Sequence, residues 1–193
     1  MCFDGNDVLC TGDGGLLRFV DANDDGVADG KPEMIFPIRT GSEHRAHAIR
    51  KGPDGWWYVL AGNQTGALPE YFAGKNSPIK NPRAGFILRV SPDWSEKEIV
   101  CHGFRNAYDF DFNSLGQIFV YDSDGERDIN LPWYRPTRLF EMRPGDDAGW
   151  VSAGWKRDSG LFDMPIEVGS FGRGSPTGVV ASCLLYTSPS PRD

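Results

Sequence analysis

The sequence predicts an all-β fold, a β-propeller fragment of about three blades, and three observations predict it. A glycine-bounded strand pattern recurs along the chain, and each copy is followed by a second strand of similar character. Nowhere do about ten or more residues hold a helical period flanked by caps. In order, "GNDVLCTG" (Gly5 to Gly12) and "GWWYVLAG" (Gly55 to Gly62) share a glycine-to-glycine spacing of seven around a β-rich run. "GQIFVYDS" (Gly116 to Ser123) repeats the pattern without the closing glycine. The second strands are "GLLRFVD" (Gly15 to Asp21), "GFILRVS" (Gly85 to Ser91) and "TRLFEMR" (Thr137 to Arg143). Two of the pairs are preceded by a further strand, "AHAIRK" or "AYDFDFN", and turns such as "GPDG", "SPDW" and "PGDDAG" suit short antiparallel connections. The units run to about 50 to 60 residues, the size of a propeller blade with long loops. An immunoglobulin-like sandwich is the competing all-β architecture, and it predicts no repeated strand pair.

Composition restricts the function classes. A chain of 193 residues with 39% hydrophobic content can bury a core, and a net charge of -7 with a pI near 5.0 argues against a surface that tracks phosphates. Nucleic acid is therefore not an expected partner. No apolar run approaches the roughly 20 residues of a spanning helix, so no membrane segment is expected. The start "MCFDGNDVLC" has neither the basic nor the apolar region of an export signal. Cys2, Cys10, Cys101 and Cys183 lack C-x-x-C spacing, so the zinc, thioredoxin-type and c-type haem readings have no support, and cysteine usage leaves the redox compartment open.

The last residues stand apart. "CLLYTSPSPRD" (Cys183 to Asp193) resembles the translation of a transposase-based sequencing adapter, against the competing reading of a Ser/Pro-rich tail. The expected organisation is a partial propeller over 1–182, truncated at its C-terminal end, followed by a non-native tail over 183–193. Met1 is then compatible with an internal codon.

Two of the three histidines, His44 and His47, lie three residues apart in "GSEHRAHAIRKGPDGWWYVLAGN". With "AHAIRK" as a strand, residues three apart point to opposite faces, so the two cannot chelate one metal. His47 is expected in a hydrogen-bonded structural role. The loop "DANDDGVADG" offers Asp21, Asn23, Asp25, Gly26, the Val27 carbonyl and Asp29 at positions 1, 3, 5, 6, 7 and 9 of an EF-hand-type calcium loop. Pro32 stands at position 12 with Glu33 beside it, and a metal-free Asx-rich turn is the competing reading. Trp57 and Trp133 are expected in the core between blades, and spacing gives His102 no role.

The ordered set "EHRAHAIRKGPDGWWYVLAGN", "GFRNAYDFDFN", "YDSDGERDINLPWYRP" and "RPGDDAGW" resembles the soluble quinoprotein glucose and sorbosone dehydrogenases. It is more similar still to the large bacterial membrane-bound-dehydrogenase-type propellers, often fused to cytochrome c. The resemblance spans roughly Gly5 to Gly178 and implies a propeller of six blades, here about three of them, with a full-length protein that is periplasmic or otherwise exported. It further implies oxidation of a sugar or other alcohol by pyrroloquinoline quinone (PQQ), with Ca2+ beneath the cofactor and a cytochrome c module as partner. His44 takes the position of the catalytic base, eight residues before Gly52. An imidazole suits that task because it accepts a hydroxyl proton near neutral pH.

Nineteen residues on, where the family has the aspartate that orients the base, this chain has Asn63. An amide can hold a ring but cannot stabilise an imidazolium with a full charge. Arg105 and Asn106 in "GFRN" match the pair that contacts the quinone, and "DSDGERD" falls where the family binds calcium, with Asp122, Asp124 and Asp128 as candidate carboxylates. A non-catalytic propeller that binds glycans, or positions a fused electron-transfer or interaction module, is the reading from a different class.

Overall fold

In the computed structural model, described over residues 1–150 and 165–182, twelve strands form three four-stranded antiparallel sheets. The first sheet is the meander β1 (Cys2–Asp4), β2 (Asp7–Gly12), β3 (Gly15–Phe19) and β4 (Glu33–Pro37). The second is β5 (Ala46–Lys51), β6 (Trp57–Ala61), β7 (Gly85–Val90) and β8 (Lys97–Phe104). The third is β9 (Phe110–Phe112), β10 (Ile118–Asp122), β11 (Arg138–Met142) and β12 (Ile166–Ser170). Within each sheet consecutive strands pair, so each sheet is one blade, and the chain is a partial β-propeller. The three repeated runs are the second strand of each blade, and the runs that follow them are the third. The fourth strands β4, β8 and β12 are additional to the sequence reading. Of these, β4 and β12 are mostly exposed, and β8 is kinked by register shifts against β7, so none shows clean alternation.

The blades stack through two apolar layers that follow strand alternation. On β6, Trp57, Val59 and Ala61 face the first blade, where they meet Leu9, Leu16 and Phe36. Tyr58 and Leu60 face the third blade and meet Phe110, Val120 and Phe140. The middle blade is covered on both faces, which is why "GWWYVLAG" is apolar without interruption rather than alternating. Trp57 is 1% exposed and stacks on Trp94 at 5.6 Å. Trp133, expected in the core, is 58% exposed: its "LPWYRP" segment lies in the loop between β10 and β11 rather than in a strand between blades.

The meander sorts the loops between two ends of the molecule. Because successive strands are antiparallel, the β2–β3, β4–β5, β6–β7, β8–β9 and β10–β11 connections share one end. The β1–β2, β3–β4, β5–β6, β7–β8 and β9–β10 connections share the other, and residues 143–150 after β11 run alongside β8, which brings Trp150 to the first end. His44, Asn63, Arg105, Asn106 and Asp122 to Asp128 thus fall at the first end, and the Asp21–Asp29 loop at the opposite one. Among the described residues no helix is long and apolar enough to cross a membrane. The adapter-like segment 183–193 lies outside the described residues.

Candidate functional site

Three loops meet at the first end and are tied together through their backbones. The N–H of Gln64 donates to the His44 carbonyl at 2.9 Å, and the N–H of Asn63 donates to the Arg105 carbonyl at 2.9 Å. Gly62 permits this approach, since a Cβ there would sit 2.7 Å from the His44 carbonyl oxygen and 3.0 Å from Asn106 Oδ1. A buried carboxylate fixes the third loop. Asp122, 1% exposed at the end of β10, accepts the backbone N–H groups of Arg105 at 2.8 Å, Asn106 at 2.9 Å and Ser123 at 2.9 Å. Burial pushes its pKa up, and those N–H donors and the charge of Arg138 pull the other way.

These constraints open a cleft of about 490 Å³ lined by His44, Asn63, Gln64, Arg105, Glu126 and Trp150 among others. His44 Nδ1 lies 2.8 Å from Asn63 Oδ1. With the amide oxygen facing the ring, Nδ1 carries the proton and donates, which leaves Nε2 as the acceptor nitrogen. The expected base and its expected partner are therefore in direct contact. Arg105 is 7% exposed, and its guanidinium donates to Ser123 Oγ at 3.0 Å and to Glu126 Oε1 at 2.6 Å. Its Cζ lies 5.6 Å from the centroid of the Trp150 ring. The chemical content of the cleft is an imidazole oriented for proton acceptance and a buried fixed cation.

Other predicted residues go elsewhere. Asn106 is buried and directs Oδ1 to His47 Nε2 at 2.9 Å, away from the cleft lining. His47 stacks on Tyr108 with ring centroids 3.9 Å apart, and burial lowers its pKa against the opposing effect of the Asn106 hydrogen bond. His44 and His47 are thus unequal: one lines the cleft, the other braces the loop that leads into β9.

The carboxylates of "DSDGERD" turn to different partners. Asp122 is taken up by backbone N–H groups, Asp124 accepts the Tyr134 hydroxyl at 2.9 Å, and of the three only Asp128 lines the cleft.

In the opposite loop, Asp21 accepts the N–H groups of Asp25 at 3.2 Å and Gly26 at 2.9 Å, Asn23 that of Asp25 at 3.1 Å, and Asp25 that of Val27 at 2.8 Å. Asp24 and Gly26 take positive φ, 59° and 79°. Asp29 accepts the Ala22 N–H at 2.8 Å. Among the described residues no three His, Cys, Asp or Glu side chains are gathered in metal-ligand geometry, so an ion at this loop would have to draw the carboxylates inward.

Sequence reasoning missed Glu126, Ser123 and Trp150 as neighbours of Arg105. Glu126 lay inside the acidic run already singled out, but attention to oxygen ligands for calcium favoured the aspartates. A larger hollow of about 720 Å³ beside His102 and Arg83 has its cations committed: Arg83 pairs with Asp147 at 2.8 Å and Lys80 donates to the Gly74 carbonyl at 2.6 Å.

The sequence matches the family described as "Domain of unknown function (DUF7133)" over residues 1–135, and the chain belongs to that family. No curated protein matches. Among solved structures, the chain is similar to the PQQ-bound form of aldose sugar dehydrogenase from Streptomyces coelicolor, with a TM-score of 0.57 and 19% identity. The match covers 85% of this chain and 48% of that one, so the chain spans about half the length of the enzyme it resembles. At that identity the likeness concerns the fold alone, and the fold is that of a β-propeller.

Proposed function

We propose that the cleft holding His44 and Arg105 belongs to a quinoprotein-type dehydrogenase that oxidises a sugar or other alcohol with PQQ as acceptor. The observation that carries this reading is the meeting, in one cleft at one end of the propeller, of an imidazole held by Asn63 and a buried guanidinium. The fit of the cofactor rests on charge and shape. PQQ is a flat, carboxylate-bearing quinone, and a guanidinium beside an indole face offers it both an anchor and a stacking surface. When bound, the quinone supplies the two-electron acceptor for hydride.

The chain's own residues handle protons and orientation. His44 Nε2 accepts the hydroxyl proton of the alcohol, while Asn63 fixes the ring through Nδ1. The neutral amide orients the ring without adding charge, so the imidazolium that forms is less stabilised than beside a carboxylate. Arg105 holds anionic oxygens and offsets negative charge that develops beside it. No step is assigned to calcium at Asp122, Asp124 and Asp128, because their carboxylates diverge.

The test is dye-linked alcohol oxidation by the full-length protein reconstituted with PQQ. Wild type is expected to reduce the dye with a sugar or simple alcohol, and His44→Ala to lose about 10² to 10⁴ in rate while keeping its fold. Activity unchanged in His44→Ala, or a folded wild type that neither binds PQQ nor turns over, removes this reading.

A further inference from the structure

The pairing of Arg105 with Glu126 joins two unequal partners. The Arg105 side chain is 9% exposed and is held from several directions: by the Ser123 hydroxyl, by the Trp150 ring and by a backbone that Asp122 and Asn63 both fix. The Glu126 side chain is 54% exposed and stands on a one-turn 3-10 helix, Glu126–Asp128, inside the long β10–β11 loop. Its Oε1 reaches the guanidinium at 2.6 Å, and both residues line the same hollow. The cation is therefore the fixed member of the pair and the carboxylate the movable one. An ion pair with one arm in solvent is weakly held, because water competes for the carboxylate and its side chain gives up rotamer freedom to stay. A buried guanidinium, by contrast, is costly to leave without an anionic partner.

The geometry points to Glu126 as an internal competitor for anionic ligands of Arg105: it holds the Nη2 end of the guanidinium and gives way when a carboxylate-bearing ligand docks there. This rests on the functional reading above, and gives that same site a built-in competitor that sets its affinity and on-rate. Competition by a tethered carboxylate weakens every anionic ligand that uses Arg105. It also shields Arg105 from small anions in the surroundings. A ligand with several carboxylates, or one that also stacks on Trp150, gains enough elsewhere to displace it.

The experiment measures binding of PQQ, and separately of citrate as a simple tricarboxylate, to the full-length protein by tryptophan fluorescence. Wild type, Glu126→Gln, Glu126→Ala and Arg105→Gln are compared, the last establishing that the signal reports this cleft. Both Glu126 variants are expected to bind each probe about 5- to 10-fold tighter than wild type, and Arg105→Gln to lose binding. Glu126 variants that bind PQQ no tighter than wild type overturn the inference and leave the quinone reading standing. If no variant binds PQQ, the quinone reading falls and citrate decides: tighter citrate binding in the Glu126 variants supports the competitor, and equal or weaker binding overturns it.

Discussion

Replacing Asp122 by Ala is expected to cost more stability than its short side chain suggests, and the structure gives the size. The carboxylate is 1% exposed and accepts three backbone N–H groups, those of Arg105, Asn106 and Ser123. A methyl group accepts none. Each buried donor left unpaired costs about 1 to 3 kcal/mol, so full exposure of the deficit would reach about 3 to 9 kcal/mol. Some of it is recovered as the loop shifts or admits water, which brings the expected loss to about 3 to 5 kcal/mol. Arg138 is also left with less compensation for its buried charge. Asp122→Asn keeps one acceptor oxygen but turns an NH₂ toward N–H donors, and is expected to fall between wild type and Ala. Urea unfolding of the full-length protein measures all three. A loss below about 1 kcal/mol for Asp122→Ala would refute the view that this carboxylate organises the loop carrying Arg105.

Further outcomes follow from the same geometry. Asn63→Asp is expected to raise the rate of PQQ-dependent oxidation, because a carboxylate at 2.8 Å from His44 Nδ1 favours the imidazolium, and an unchanged or lower rate argues against proton transfer through His44. His47 has a pKa below its ordinary 6.5, so the unfolded chain binds the extra proton first as pH falls. Stability contributed by neutral His47 is then present above pH 6.5 and lost as pH drops through the lowered value, and His47→Gln should flatten that slope in melting curves collected across mildly acidic pH. The Asp21–Asp29 loop has the turn geometry of a calcium loop, with positive φ at Asp24 and Gly26, and calcium is expected to raise the melting temperature relative to chelator. An Asp21→Ala, Asp25→Ala variant should lose that response, and coincident wild-type curves would leave the loop a metal-free turn.

The blades were legible because their middle strands carry the apolar content. β6 and β10 show dense β-branched and aromatic runs near a glycine, β2 a shorter apolar run ending in one, and burial between neighbouring blades favours that composition. The fourth strands were not legible, since β4 and β12 lie largely open to solvent and need no alternation. At the site, the contact between His44 and Asn63 was accessible from spacing together with the family resemblance. The division between Arg105 and Asn106 was not. Two consecutive residues diverge there because Asp122 pins both N–H groups, and sequence gives no sign of a carboxylate supplied from another strand. Trp133 was misjudged because aromatic content alone says nothing about whether a segment lies on a strand or in a loop.

Whether the cleft between His44 and Arg105 receives the quinone is decided by a crystal structure of the full-length protein grown with PQQ. The cofactor is expected in that cleft, with a carboxylate or quinone oxygen within hydrogen-bond distance of the Arg105 guanidinium, Glu126 turned away, and His44 Nε2 facing the substrate side of the ring. PQQ bound elsewhere, or a cleft still closed by the Arg105–Glu126 pair at saturating cofactor, would contradict it.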